Sequence, residues 1–372
     1  MRIEAQHIHD LARGAAFLGS GGGGDPYYGS LLALAAIERF GPVELRPLAE
    51  IPDEAFVVPC GWIGAPTVSV EKLPSGREVV AGLQRLEQIA GRRVDAVLPI
   101  EIGGGNGLAP LVAAAEMGLP VVDCDGMGRA FPESQMAIFN IRGQSACPSV
   151  LTAASGAVTV IETGDNLEHE RLARAASVAL GGIAHMVEYP LSGAQAKAHA
   201  IAGSVSAAIA VGAAVRTARA RGDDPFDTLA GALRKTGLYP HCAVLFDGKI
   251  IDVERETQGG FSVGKVRIES FGDQSARDQR TMEIAFQNEN LIAREAGQVR
   301  AVVPDIITIM DRETADTITT ERLKYGQRVK VVGAAAPAML RDPAALRLAG
   351  PDAFGLGVAF APIEELVQEF KA

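Results

Sequence analysis

The stretch from Val94 to Gly126, VDAVLPIEIGGGNGLAPLVAAAEMGLPVVDCDG, decides the fold. It opens on a short apolar run, Val94–Gly103, with the near-continuous hydrophobicity of a strand covered on both faces. GGGNG then interrupts any regular structure. LAPLVAAAEM follows as a helix-forming segment closed by Gly118, and Leu119–Gly126 is a second buried run. Strand, glycine loop, helix and strand in that order predict a right-handed βαβ unit with parallel strands. Open α/β sheets bind ligands outside the carboxyl ends of such strands. Glu101 near the end of the first strand, Gly104, Gly105 and Asn106 in the loop after it, and Asp123 and Asp125 at the end of the second strand are therefore candidate site residues.

Working outward, Ala55–Gly64 reads as another apolar strand and Ala5–Leu18 as a helix with Leu11, Ala15 and Leu18 on one face. Six residues, GSGGGG at 19–24, separate that helix from a second one. The second is signed by Asp25 as N-cap, Pro26 at its first position and Gly41 past its last turn. A polar helix spans Gly82–Ala90, and Gly156–Gly164 is a further strand. From Leu167 to Gly237 the pattern is helical, with Ala194–Arg221 as one Ala-rich stretch. Its Gly203–Val215 portion is nearly all small and apolar, which predicts close helix–helix packing. After Leu238 the period changes to two, and Asp247–Gly248 carries a hairpin signal. The reading is an α/β chain: an N-terminal α/β domain with parallel strands over 1–238, then a mainly β domain over 239–372, a small barrel or sandwich, with an acidic helical tail.

Composition narrows the function. Aromatics are 5 % of the residues against 48 % apolar, so the core must be aliphatic. A net charge of −10 argues against nucleic acid or an anionic membrane as partner, because phosphate neutralisation needs clustered Lys and Arg. The polar N-terminus predicts a cytoplasmic protein, and the Ala-rich helix, which holds His199, reads as a core or interface helix of a homo-oligomer rather than a membrane span. The four cysteines, Cys60, Cys124, Cys147 and Cys242, have no CxxC spacing, and the histidines have no HExxH spacing.

Two loops and one strand end carry the candidate chemistry. Gly19, Gly21 and Gly24 satisfy G-x-G-x-x-G, but a helix rather than a strand precedes them, which weakens a dinucleotide reading. Ser20, Gly21, Gly22, Gly23, Gly24 and Asp25 are instead candidates to converge backbone N–H groups on an anion or oxyanion, with a tight turn between helices as the structural alternative. At the strand end, Asp123 and Asp125 are two residues apart and so point the same way, with Arg129 and Glu133 close behind. Such a set suits a divalent metal ion, an oriented water or acid–base work; an ion-paired loop is the alternative. Arg129 is a candidate grip for a substrate carboxylate.

LARGAAFLGSGGGGDP, IGAPTVSVEKL, EIGGGNGLAP, VDCDGMGRAFPE, DGKIIDVERETQGGF, ERLKYGQRVKVVG and GPDAFG together resemble the S-methyl-thiohydantoin desulfurase-like family, from about Leu11 to Phe360. The resemblance implies a three-layer α/β domain followed by a barrel-like one. It also implies a place in hydantoin and oxoproline metabolism, a hydantoinase-like partner, and removal of sulfur from a thiohydantoin ring carbon. The chain departs from the family pattern at Cys124, where alanine is common, and at Cys60, which speaks against a family-wide cysteine nucleophile. The expected function is a hydrolase or desulfurase of a small cyclic amide, with Glu101, Asp123, Asp125 and Arg129 as catalytic candidates. A non-catalytic subunit of a hydantoinase-like complex and a nucleotide- or phosphate-binding enzyme are the alternatives.

Overall fold

The computed structural model describes residues 1–65, 68, 71–258, 261–271 and 280–367. Pro66, Thr67, Ser69 and Val70 of the IGAPTVSVEKL motif, Gly259 and Gly260 of the DGKIIDVERETQGGF motif, and the tail beyond residue 367 lie outside them.

The buried apolar runs form a mixed sheet. Its order is Arg2–Ile3, Val43–Pro47, Val121–Asp125, Ala96–Pro99, Phe56–Gly64, Ile183–Val187, Ser149–Thr152, Val158–Ile161. The four strands from Val43–Pro47 to Phe56–Gly64 are parallel, and those flanking them are antiparallel. The βαβ unit read from Val94–Gly126 is present, with Ala96–Pro99 beside Val121–Asp125 and the helix Ala109–Met117 between them in sequence. Apolar clusters cover both faces of the sheet, as a three-layer domain requires.

Local signals set the helix ends. The first helix spans Ala5–Leu18; the second, Pro26–Phe40, is capped by Asp25, whose carboxylate accepts the Tyr27 N–H at 2.9 Å. One expectation changes: Ala194–Arg221 is two helices, Gly193–His199 and Ser204–Arg221. Between them Ile201–Ala202 pairs antiparallel with Val121–Asp125, and Gly203 at φ 82° restarts the chain. Val43–Pro47 pairs with that strand only as far as Asp123, and the hydrogen bonds left open beyond it are ones the Ala-rich composition did not foretell.

Ser204–Arg221 lies against Ala5–Leu18 at glycine-width distance. A Cβ on Gly14 would strike the Ala208 carbonyl, and one on Gly212 would strike the Asp10 carbonyl. Ile209 and Val211 are buried there, so the small-residue stripe is covered within the chain.

The second sheet is antiparallel, in the order Gln298–Val302, Glu289–Glu295, Thr281–Gln287, Phe261–Ser270, Cys242–Gln258, Arg328–Ala334, Ile306–Asp311. It curls so that Glu289–Glu295 comes close to Ile306–Asp311, giving a half-barrel around its own aliphatic core. Asp247–Gly248 is not a hairpin turn. It lies inside the 17-residue strand Cys242–Gln258, where Gly248 packs flat against the Glu269 backbone and bulges at Val244/Phe246 and Ile250/Asp252 bend the strand.

Candidate functional site

The parallel strands aim their carboxyl ends at one region, where the loops 19–24, 100–107 and 126–134 meet. Glycine makes the meeting close. Gly104, at φ 62°, lies against Gly23, and the Gly105 N–H donates to the carbonyls of Gly23 and Gly24 at 2.9 and 3.0 Å. The half-barrel closes the region from the other side. Asn288, at φ 57°, turns the chain between Thr281–Gln287 and Glu289–Glu295 and delivers Glu289, whose Oε1 accepts the Gly23 N–H at 3.2 Å. A cleft results, with Gly23, Trp62, Glu101, Asn106, Ser134 and Glu289 among its walls.

Inside the cleft the polar groups are mostly carboxyls. Glu101 Oε1 accepts from Asn106 Nδ2 at 2.6 Å and its Oε2 from the Phe131 N–H at 2.9 Å; Asn106 Oδ1 in turn accepts the Trp62 N–H at 2.6 Å. Ser134 donates its hydroxyl to Glu188 and its N–H to Glu170 at 3.0 Å. Arg174 holds Glu170 through Nε at 2.6 Å. Glu289 is 2 % exposed, and its Oε2 has no hydrogen-bond partner.

Burial governs their protonation. It raises Glu289 to about 8 against the opposing pull of Arg129 and the Gly23 amide. Burial also raises Glu188 to about 8, and it lifts Glu101 well above the carboxylate range with the Glu289 charge adding to the effect. Near neutral pH this cleft therefore stores protons on carboxyl groups, a property concentrated at functional sites.

Stability should follow. His169, held down to about 4 by burial, and His185, at about 3, are neutral when folded and favour folding less as pH falls below their unfolded value near 6.5. Above pH 6.5 they drop out, and the carboxyls dominate: ionised when unfolded, still protonated when folded. From pH 6.5 to 8 stability is expected to fall by on the order of 1.4 kcal/mol per pH unit for each of Glu188 and Glu289, with a lower slope beyond. Denaturant unfolding across that range measures it; stability that rises from 6.5 to 8 would contradict the assignment.

Of the sequence-predicted residues, Gly23, Gly24, Glu101 and Asn106 line this cleft, and Gly105, with Asp25, lines an adjoining one. The others stand behind the walls. Ser20 bridges to the half-barrel, its hydroxyl donating to the Ile307 carbonyl at 2.9 Å and accepting the Ile307 N–H at 3.0 Å. Gly21 accepts the Thr320 N–H through its carbonyl, and Gly22 leaves room for Glu289. The Gly22 and Gly23 amides are already engaged, by the Gly19 carbonyl and Glu289. Glu133 holds Gln135 at 2.7 Å.

Asp123 and Asp125 do share a face. It is turned to the first turn of the Ser204–Arg221 helix: Asp123 Oδ1 accepts the Ser206 N–H at 2.9 Å and Asp125 lies beside Ser204. The positive end of a helix relieves two nearby carboxylates, a remedy other than metal or arginine. Asp125, buried and raised to about 6 by that burial, also accepts the N–H groups of Ile102, Met127 and Gly128, so it organises both loops. Arg129 is fully buried and spends its donors on the carbonyls of Ala130, Asn290, Pro304 and Asp305, joining the two sheets. No group of three or more His, Cys, Asp or Glu among the described residues is arranged to hold a metal ion. Burial keeps Cys60 and Cys124 as thiols, with the two aspartates raising Cys124 further.

Comparison with known proteins fits this architecture. The S-Me-THD-like N-terminal domain matches residues 6–163 and the S-Me-THD-like C-terminal domain matches residues 164–363. The chain belongs to the S-Me-THD-like family. The two matches meet between Gly164 and its predecessor, inside the mixed sheet rather than between the sheets. A protein from Chromobacterium violaceum of known crystal structure has the same fold: TM-score 0.80 at 23% identity, covering 98% of this chain and 100% of that one. No curated protein is similar enough to match. No helix among the described residues of this S-Me-THD-like chain is long and apolar enough to cross a membrane.

Sequence reading missed Glu289, Glu188, Glu170, Ser134 and Trp62. Glu188 had a faint signal, a lone carboxylate ending the apolar run IAHMVE. Glu289 had none, because NEN at 288–290 looks like any polar turn between strands.

Proposed function

We propose that the protein is a hydrolase that removes the sulfur substituent from a thiohydantoin-like small cyclic amide. Family membership points to the ring, and one observation carries the chemistry: a buried carboxyl with a free oxygen, Glu289 Oε2, on the wall of a cleft at the carboxyl ends of parallel strands.

The ring lies against Trp62 in this reading, with its sulfur-bearing carbon towards Glu289. Water adds to that C=N carbon while ionised Glu289 takes one of its protons. As the adduct collapses the C–S bond breaks, Glu289 returns the proton to the departing sulfur, and the second water proton ends on the ring nitrogen. The products are a ring carbonyl, a ring N–H and a free thiol. Glu101 and Asn106 keep the opposite wall in place, since each holds the other and both are tied to backbone amides. The Gly23 N–H orients Glu289 through its other oxygen.

The test is thiol release from S-methyl-thiohydantoins by the purified chain, read with a thiol reagent. Turnover by the chain alone supports the proposal. Ligand binding without turnover would instead favour the non-catalytic subunit of a hydantoinase-like complex.

A further inference from the structure

A second cleft adjoins the first and shares Gly23, Gly24, Trp62 and Ile183 with it. Its other walls are mainly apolar, with Leu32, Leu73, Pro74 and Ala154 among them. Three charged groups share the wall: Asp25, which caps its helix and pairs with Arg322, Lys72, which is turned to the Leu180 carbonyl, and Glu78. Glu78 is only 3 % exposed, and while its Oε1 accepts the Ser75 N–H at 2.7 Å, its Oε2 has no hydrogen-bond partner. A buried carboxylate oxygen left unpaired is costly unless a ligand completes it.

We infer that this second cleft is a substrate subsite for a ring substituent made of an apolar stem ending in a nitrogen donor, of which an ammonium group is the best match. The inference rests on the reading of the first cleft as the ring site. Its geometry follows from the shared wall: a ring beside Trp62 carries its substituent past the indole into the second cleft, whose walls include Leu32, Ala154 and Glu78. The stem replaces water on apolar surface, and the terminal N–H donates to Glu78 Oε2. Lys72 spends its ammonium on the Leu180 carbonyl at 2.8 Å, so an anionic end would meet the Glu78 carboxylate and be rejected, and the subsite selects by charge as well as by shape.

Calorimetric binding of hydantoin, 5-butylhydantoin and 5-(4-aminobutyl)hydantoin tests this without any turnover. The butyl stem should tighten binding about tenfold, and the terminal ammonium by about a further tenfold. Glu78→Gln keeps an oxygen for the Ser75 N–H and should erase the ammonium increment alone. Ala154→Phe fills the cleft and should erase both increments while leaving hydantoin binding unchanged. Equal affinity for the three ligands, binding of none of them, or an ammonium increment that survives in Glu78→Gln would each overturn the inference. Absence of thiol release with these increments intact would defeat the proposed reaction and leave the subsite standing. Thiol release with equal affinities would do the reverse.

Discussion

Glu289→Gln is expected to lower kcat for thiol release about a thousandfold, roughly 4 kcal/mol of transition-state stabilisation, the scale of a group that moves a proton in the rate-limiting step. Glutamine is close in shape and keeps an oxygen for the Gly23 N–H, so the loop contact at 3.2 Å should persist. The pH profile separates a chemical from a structural role. A base works only when ionised, so wild-type kcat should climb as pH passes about 8, where burial has placed Glu289. The residual activity of the variant should lack that inflection. A wild-type profile that is flat from pH 6 to 9, or a variant with near-normal kcat, would remove Glu289 from the mechanism. Because unfolding would also abolish activity, the melting temperature of the variant is read alongside.

The second large effect concerns the helix crossing that supports the first layer. Gly212→Ala and Gly14→Ala each place a methyl group into the backbone of the opposing helix, at the Asp10 and Ala208 carbonyls respectively. Backbone cannot step aside as a side chain can, so the two helices must separate and lose contact along their length. Each substitution is expected to cost about 3 kcal/mol or more. Gly231 supplies the control. It lies inside the helix Pro225–Thr236 with open space where a Cβ would go, and Gly231→Ala should stabilise by about 0.5–1 kcal/mol through helix propensity. Denaturant unfolding of the three variants decides the matter. Equal stability of Gly212→Ala and wild type would show that the crossing is looser than its geometry implies.

Much of the frame was legible because its signals are local. Asp25, Pro26 and Gly41 mark one helix within a few residues of its ends. The buried strands betray themselves by unbroken apolar runs, and the half-barrel by alternation. These features depend on a residue and its near neighbours, so they survive without knowledge of the fold. The parallel unit also told where to look: Glu101 and Asn106 follow its first strand and do line the cleft.

What each polar residue does there was a different matter. Asp125 and Arg129 have the composition of a site but are consumed in holding it together, Asp125 by three backbone amides and Arg129 by four carbonyls. Glu289 has the composition of a turn, yet it reaches Gly23 across 266 residues of chain. A carboxyl acquires an unusual pKa only from what surrounds it, because the energy of its charge depends on displaced water and on nearby dipoles and charges. By itself the sequence determined most of the secondary elements, the parallel unit and the strand ends at which the cleft lies. Only the tertiary structure decided which carboxyls are left dry and unpaired, since desolvation is a property of the assembled neighbourhood and of no single segment.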